Sequence, residues 1–257
     1  MTLNGHFADT IWPLEGHYAD QTYAPSPPTT QAFFTCRPSP KAARKMGIAY
    51  TDKIDTMFFS NHKKQHGLNA GAACWADGMT MVRVSSINEG DSTLLKDLGL
   101  EETFDVIGEV FDARNLLTGS NIPHPVGYGD PAYGLTPHMK RKHNGAITGA
   151  EREENNFMLR PRAGIEDVFK EVLEVFPFFD EMKKHQLLAK KKNTFRDELV
   201  CAFWFYNMVV CVTQTSQMTG LSLMKPPSLQ ELFESVHSGV GVFVGGDDEF
   251  ALPQDRR

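Results

Sequence analysis

Residues Leu199–Val212 read LVCAFWFYNMVVCV, and the placement of this stretch decides the fold. It carries no formal charge, and over Phe203–Val212 it is apolar on nearly every side of a helical wheel. A helix of that kind sits at the centre of a core or spans a membrane. The run is 14 residues long, short of the roughly 20 a bilayer requires. It is therefore expected to be a central core helix, extending over about 194–218, with other helices packed around it. Thr194 and Asp197 have the spacing of a capping box at its start.

Working outward, residues 164–192 place Phe169, Val172, Leu173 and Phe176 on one helical face. Glu166 and Asp167 open that pattern and lysines crowd its end, as the helix macrodipole favours. Pro177 predicts a break near Phe176. In PPSLQELFESVH (Pro226–His237), Ser228 is the expected N-cap of a last helix, with Glu231 closing the box three residues on. Together, 164–237 read as a helical core. Upstream, Phe104, Ile107 and Phe111 fall at i, i+3 and i+7 beside acidic residues, predicting another helix with Gly119 as its stop. Residues 119–163 read as a long irregular loop. MTMVRVSS (Met79–Ser86) is the best strand, nearly isolated. Residues 1–35 read as an extended arm that packs through Trp12, Tyr18, Tyr23, Phe33 and Phe34. No βα alternation or internal repeat occurs. The expectation is a single domain over 1–257, mostly α, with a helical core, an irregular N-terminal half and a minor β element. An α+β arrangement is the alternative.

The 257 residues are 41% hydrophobic with a formal net charge of -6. That supports a sizeable core and argues against binding nucleic acid by general phosphate attraction. The cysteines at 36, 74, 201 and 211 form no CxxC pair, so free thiols in a reducing compartment are expected. The N-terminus has no basic region followed by an apolar one. The cytoplasm or an organelle lumen is the expected location, with no membrane span.

Several stretches carry groups suited to chemistry. IPHPVGYGDPAYGLTPHMKRKH (Ile122–His143) is too rich in proline and glycine for a regular helix. Its His124, Asp130 and His138 are candidates for acid–base catalysis or metal ligation, since a carboxylate can fix an imidazole tautomer. Tyr128 and Tyr133 suit stacking on an aromatic ligand. Arg160 and Arg162, beside the basic Lys140–His143 cluster, suit bidentate capture of a carboxylate or phosphate. His62 and His66 are four residues apart and would share a face if helical, as a metal-binding pair. The glutamate that HExxH requires is absent between them. Cys74 is a nucleophile candidate beside them, with a buried inert thiol as the plainer reading. In NEGDS (Asn88–Ser92), Glu89 and Asp91 could offer carboxylates to Mg²⁺ or Ca²⁺, or merely begin a helix. No GxGxxG, GxxxxGK[ST] or GxSxG motif occurs.

Cys36 in TCRPSP and Glu89–Ser92 in EGDS resemble two short motifs of the heme-thiolate peroxygenases. In that helical family, the resemblance implies a cysteine ligand to heme, a magnesium-binding Glu-Gly-Asp and an acid–base glutamate, for which Glu166 is nearest. Thr35 stands in place of the family's first proline, Arg37 intervenes, and the following Asn-His-Gly is missing. The match covers only these residues, and we do not assign the chain to the family.

The functional expectation is an enzyme acting on a small apolar or aromatic substrate, with metal- or heme-dependent oxidation as the first reaction type to test. The cofactor is left open. The alternatives are a non-catalytic partner-binding or structural protein of an assembly, and a carrier of an apolar ligand. A homo-oligomer formed through the N-terminal arm is the expected quaternary arrangement.

Overall fold

A computed structural model describes residues 26–35, 41, 44, 56–113, 127–129, 136–145, 147–180, 194–222 and 224–237. The protein is mostly α with a minor β element, as its apolar periodicity implies. The strands are β1 (Ser26–Thr35), β2 (Phe59–Ser60), β3 (Gln65–Cys74), β4 (Thr80–Ser86), β5 (Gly127–Gly129) and β6 (Met139–Arg141). The helices are α1 (Asp91–Asp97), α2 (Leu100–Ala113), α3 (Gly149–Val175), α4 (Thr194–Thr213), α5 (Gln217–Ser222) and α6 (Leu229–His237). A 3-10 turn, Pro177–Asp180, follows α3.

β3 is the centre of an antiparallel sheet. β1 runs along one side of it, and β4 followed by β2 along the other. Its sequence, QHGLNAGAAC, is buried from Gly67 onward. Leu68, Ala70, Ala72 and Cys74 join the main core with Ile165, Val168 and Val172 of α3 and Leu199, Phe203 and Val210 of α4. On the opposite face, Ala73 and Met81 join Leu98, Leu100, Phe104 and Met139 in a second cluster. A strand covered on both faces loses the apolar–polar alternation that marks a half-exposed one. The small side chains of β3 let both layers approach it closely.

The turn that joins β3 to β4 is WADG (Trp75–Gly78). The Gly78 N–H donates to the Trp75 carbonyl at 2.9 Å, and the Trp75 N–H to the Met79 carbonyl at 2.8 Å. Gly78 has φ 86°, the left-handed residue that a three-residue hairpin loop needs. Opposite the turn, Asn207 on α4 satisfies the outward-facing backbone of Thr80 at the start of β4. Its Oδ1 accepts the Thr80 N–H at 3.0 Å, and its Nδ2 donates to the Thr80 carbonyl at 2.8 Å. The side-chain amide thus takes the place of a peptide unit from a neighbouring strand.

Several expectations are corrected. MTMVRVSS is not isolated but pairs along its length with β3. Over Ser26–Thr35, the N-terminal arm is a strand of this sheet, paired within the chain from Ser26↔Cys74 to Thr35↔His66. Residues 1–25 of the arm, with Trp12, Tyr18 and Tyr23, lie outside the described residues. The loop assigned to 119–163 ends by 148, because α3 begins at Gly149. Thr148 and Glu151 form its capping box. Most of its first half is exposed, so no apolar stripe announces it, and Pro161 lies inside it. The expected helix over 194–218 divides at Gln214, whose φ is 56°. Thr219 and Ser216 then cap each other at α5: the Ser216 N–H donates to Thr219 Oγ1 at 2.8 Å and the Thr219 N–H to Ser216 Oγ at 3.2 Å.

Two boundaries lie where the sequence puts them. α3 stops before Phe176 and Pro177. The box at α6 is present, with the Ser228 N–H donating to Glu231 Oε2 at 2.5 Å and the Glu231 N–H to Ser228 Oγ at 3.3 Å. Among the described residues, no helix is long and apolar enough to cross a membrane.

Candidate functional site

Of the histidine-loop candidates, His138 is described, whereas His124 and Asp130 lie outside the described residues. Residues 136–141 fold back as a tight turn into β6, and the Gly127 N–H donates to the His138 carbonyl at 2.7 Å. The imidazole stacks on Phe104, with ring centroids 5.6 Å apart and planes at 11°. Its Nε2 lies 2.9 Å from Oδ1 of Asp105. The carboxylate partner thus comes from α2 and was not anticipated. The histidine side chain is 10% exposed and that of Asp105 71%. In a hydrolase triad the order is reversed: the carboxylate is buried and the imidazole faces substrate. The pair here fastens the 136–141 segment onto α2.

The basic–acidic stretch after it forms a second polar cluster. His143 Nε2 lies 2.8 Å from Glu154 Oε2, and Lys140 Nζ donates to Glu154 Oε1 at 3.1 Å. Asn155 accepts the His143 N–H at 2.8 Å and donates to its carbonyl at 3.0 Å. Burial raises the Glu154 carboxyl, but the hydrogen bonds and charges of His143 and Lys140 outweigh it and hold it below the usual carboxylate range. These groups satisfy one another and tie residues 140–148 to the first turns of α3.

A third cluster lies at the WADG turn, under α3 and α4. The Tyr206 hydroxyl donates to Glu171, and burial together with that carboxylate pushes the phenol far up. Burial raises the Cys74 thiol strongly, and the Asp77 and Glu171 charges add to this. The Thr80 hydroxyl beside it opposes the rise without reaching good hydrogen-bond geometry to any group. The Cys211 thiol is pushed up to about 11 by burial and by the charges of Asp77 and Glu231. Both thiols remain protonated at neutral pH and behave as core groups rather than nucleophiles. Asp77 keeps some surface as a residue, but its carboxyl group sits among protein atoms. Burial pushes it up to about 6, against the N–H of Met79, which donates to Oδ1 at 2.9 Å.

The remaining candidates do not converge. His62 and His66 do not share a helical face, because Asn61–Lys64 is a hairpin turn and His66 is already in β3. Lys64, at φ 55°, donates its N–H to the Ser60 carbonyl at 2.7 Å and closes that turn. His62 is exposed, while His66 lies against Phe59 with ring centroids 4.9 Å apart. After Glu89, the Gly90 carbonyl accepts from Thr93 at 2.9 Å and Leu94 at 3.2 Å, so it starts α1. The side chains of Asp91, Tyr128 and Arg160, and all of Cys36, lie outside the described residues. Among the described residues, no group of three or more His, Cys, Asp or Glu side chains is placed to hold a metal ion.

A surface feature passed over in the sequence lies on α4. Its inner face, Leu199, Phe203, Tyr206 and Val210, is buried. Its outer face leaves Phe205 52%, Val209 39% and Val212 67% exposed, with Cys201 exposed beside them. Aromatic neighbours flank this face: Phe176 stands 6.5 Å from Phe205, and Phe233 of α6 stands 5.6 Å from Trp204, ring centre to ring centre. The all-round apolarity of Leu199–Val212 signalled the feature, but the sequence reading assigned every side to the core.

Comparison of the chain with protein-family models, curated proteins and solved structures finds no match.

Proposed function

We propose that this chain is a non-catalytic, partner-binding component of an assembly, and that the outer face of α4 is its docking surface. The observation that carries this reading is the exposure of Cys201, Phe205, Val209 and Val212 along one side of a helix whose other side is core. Contiguous apolar surface of this kind, on a rigid buried helix, costs free energy in water and gains it on association. Cys201 provides the test. Its alkylation by a membrane-permeant maleimide is expected to be slow in the native cell and fast in the dilute purified protein. Equal rates in both settings would remove the reading.

A second reading remains the enzyme acting on a small apolar or aromatic molecule. It draws on the raised Asp77 carboxyl group and on the Glu171–Tyr206 pair, both of which act on the Cys74 thiol, since perturbed titrating groups gather at active sites. Elemental analysis and a visible spectrum of the purified protein test its metal- and heme-dependent forms. Stoichiometric metal or a Soret band would favour it over docking alone.

A further inference from the structure

The reading of α4 as a docking surface leaves its partner to be identified, and the following inference rests on that reading. We infer that the partner is a second copy of this chain, packed α4 against α4 about a twofold axis.

Charge is the first argument. From Leu199 to Met224 the chain contains no Asp, Glu, Lys or Arg. The stripe thus offers nothing to pair with a charged partner groove, whose charges would be left desolvated and unpaired. Against itself, the stretch from Leu199 to Met224 brings no charged side chain of its own. Spacing is the second. Cys201, Phe205, Met208 and Val212 follow one another at intervals of four, three and four residues. This is the a/d pattern of a helix–helix seam. Cys201, Phe205 and Val212 are exposed on the side of α4 away from Phe203 and Val210, and Met208 between them is half-buried and also packs against the core. A seam of that pattern is self-complementary, as an isologous interface requires.

Area is the third. Taking about 200 Å² for a full aromatic side chain, the exposed parts of Phe205, Val209, Val212 and Phe233, with Cys201 and Met208, amount to roughly 400–500 Å² per copy. A twofold pair then buries about 800–1,000 Å², the size of a weak, transient contact rather than a permanent one. The dimer is accordingly weak and reversible, and its formation depends on concentration.

The test is sedimentation equilibrium of the full chain from about 1 to 100 μM, a range that covers a weak, reversible dimer. The wild-type protein is expected to pass from monomer to dimer. Phe205→Glu and Val212→Glu each place a charge in the seam and are expected to raise the dissociation constant more than tenfold. Circular dichroism and the melting temperature should be unchanged for both, because the side chains face outward. Two variants guard against one of them failing to fold. Asp105→Asn, on a distant exposed surface, is expected to dimerise as the wild type does. A wild-type chain that stays monomeric throughout, or a dimer indifferent to both variants, overturns the inference. If Cys201 is nevertheless protected in the cell, the docking surface stands with a different partner. If it is not, both readings fall.

Discussion

Asp105 holds His138 from the solvent side, its Oδ1 2.9 Å from the Nε2 of an imidazole stacked on Phe104. The charge sits in water and its partner in the protein, so the two residues respond differently to mutation. Asp105→Asn keeps a hydrogen-bond acceptor and gives up only a screened surface charge. It is expected to cost less than about 1 kcal/mol, and less still in high salt. His138→Ala removes a buried ring and its stacking contact and is expected to cost about 2–3 kcal/mol. Urea unfolding of both variants at low and high salt checks this. Equal and large losses would mean that the carboxylate does more than hold the segment in place.

Asn207→Ala is expected to destabilise the protein by about 2–4 kcal/mol, because it orphans both the N–H and the carbonyl of Thr80 in a buried setting. Asn207→Asp keeps the acceptor for the N–H but turns a second carboxylate oxygen toward the carbonyl. It should be no milder than alanine at neutral pH. Leucine, similar in volume, should not rescue. Denaturant midpoints for the three variants rank these outcomes.

Asp77 gives stability a pH dependence of a definite sign. Its folded-state pKa, about 6, lies above its ordinary value of 3.8. Ionisation therefore disfavours the fold. The contribution is fully present below about pH 4 and is lost as pH rises through about 6. Asp77→Asn retains an oxygen for the Met79 N–H and cannot ionise. It is expected to be about 2 kcal/mol more stable than wild type at pH 7, with little difference at pH 4. Unfolding midpoints at the two pH values, compared pairwise, isolate this from other carboxylates such as Glu154, whose lowered pKa acts in the opposite direction.

Gly78→Ala meets two obstacles. The residue is at φ 86°, and a Cβ there would lie 2.5 Å from Ser216 Oγ. The left-handed conformation alone costs about 1 kcal/mol for alanine, and the Ser216 contact adds to it. Ser216→Gly in the same chain should relieve the contact but not the backbone term. Thermal melts of the single and double variants separate the two. Full recovery in the double variant would show that the backbone conformation is not limiting.

The helices were legible where packing is one-sided and hidden where it is not. The stripe of Phe169, Val172, Leu173 and Phe176 along and just past α3 and the Ser228–Glu231 box follow directly from residue spacing. The first half of α3 carries few apolar residues and faces solvent, so only Thr148 and Glu151 mark its start. β3 failed for the opposite reason: Gly, Ala and Asn on a strand covered on both faces show no period of two. Its glycines and alanines carry no strand signal of their own, and pairing with β1 and β4 makes it a strand. Asp105, which supports His138 from 33 positions away, could not be read from either local segment. The outer side of α4 was assigned to the core because apolar residues alone do not tell a buried side from an exposed one.

The Asn207 clamp also sets a schedule. Thr80 and Asn207 are 127 residues apart in the chain. At synthesis rates of about 5–20 residues per second, that interval takes roughly 6–25 s. During it β4 has been made, and neither Asn207, which satisfies Thr80 at its edge, nor the rest of α4 has. An open strand edge is the surface on which chains mispair. The nascent protein therefore passes through a stage in which its sheet needs shielding that only its own later half supplies. Truncation before α4 should yield a chain that aggregates rather than a smaller folded one.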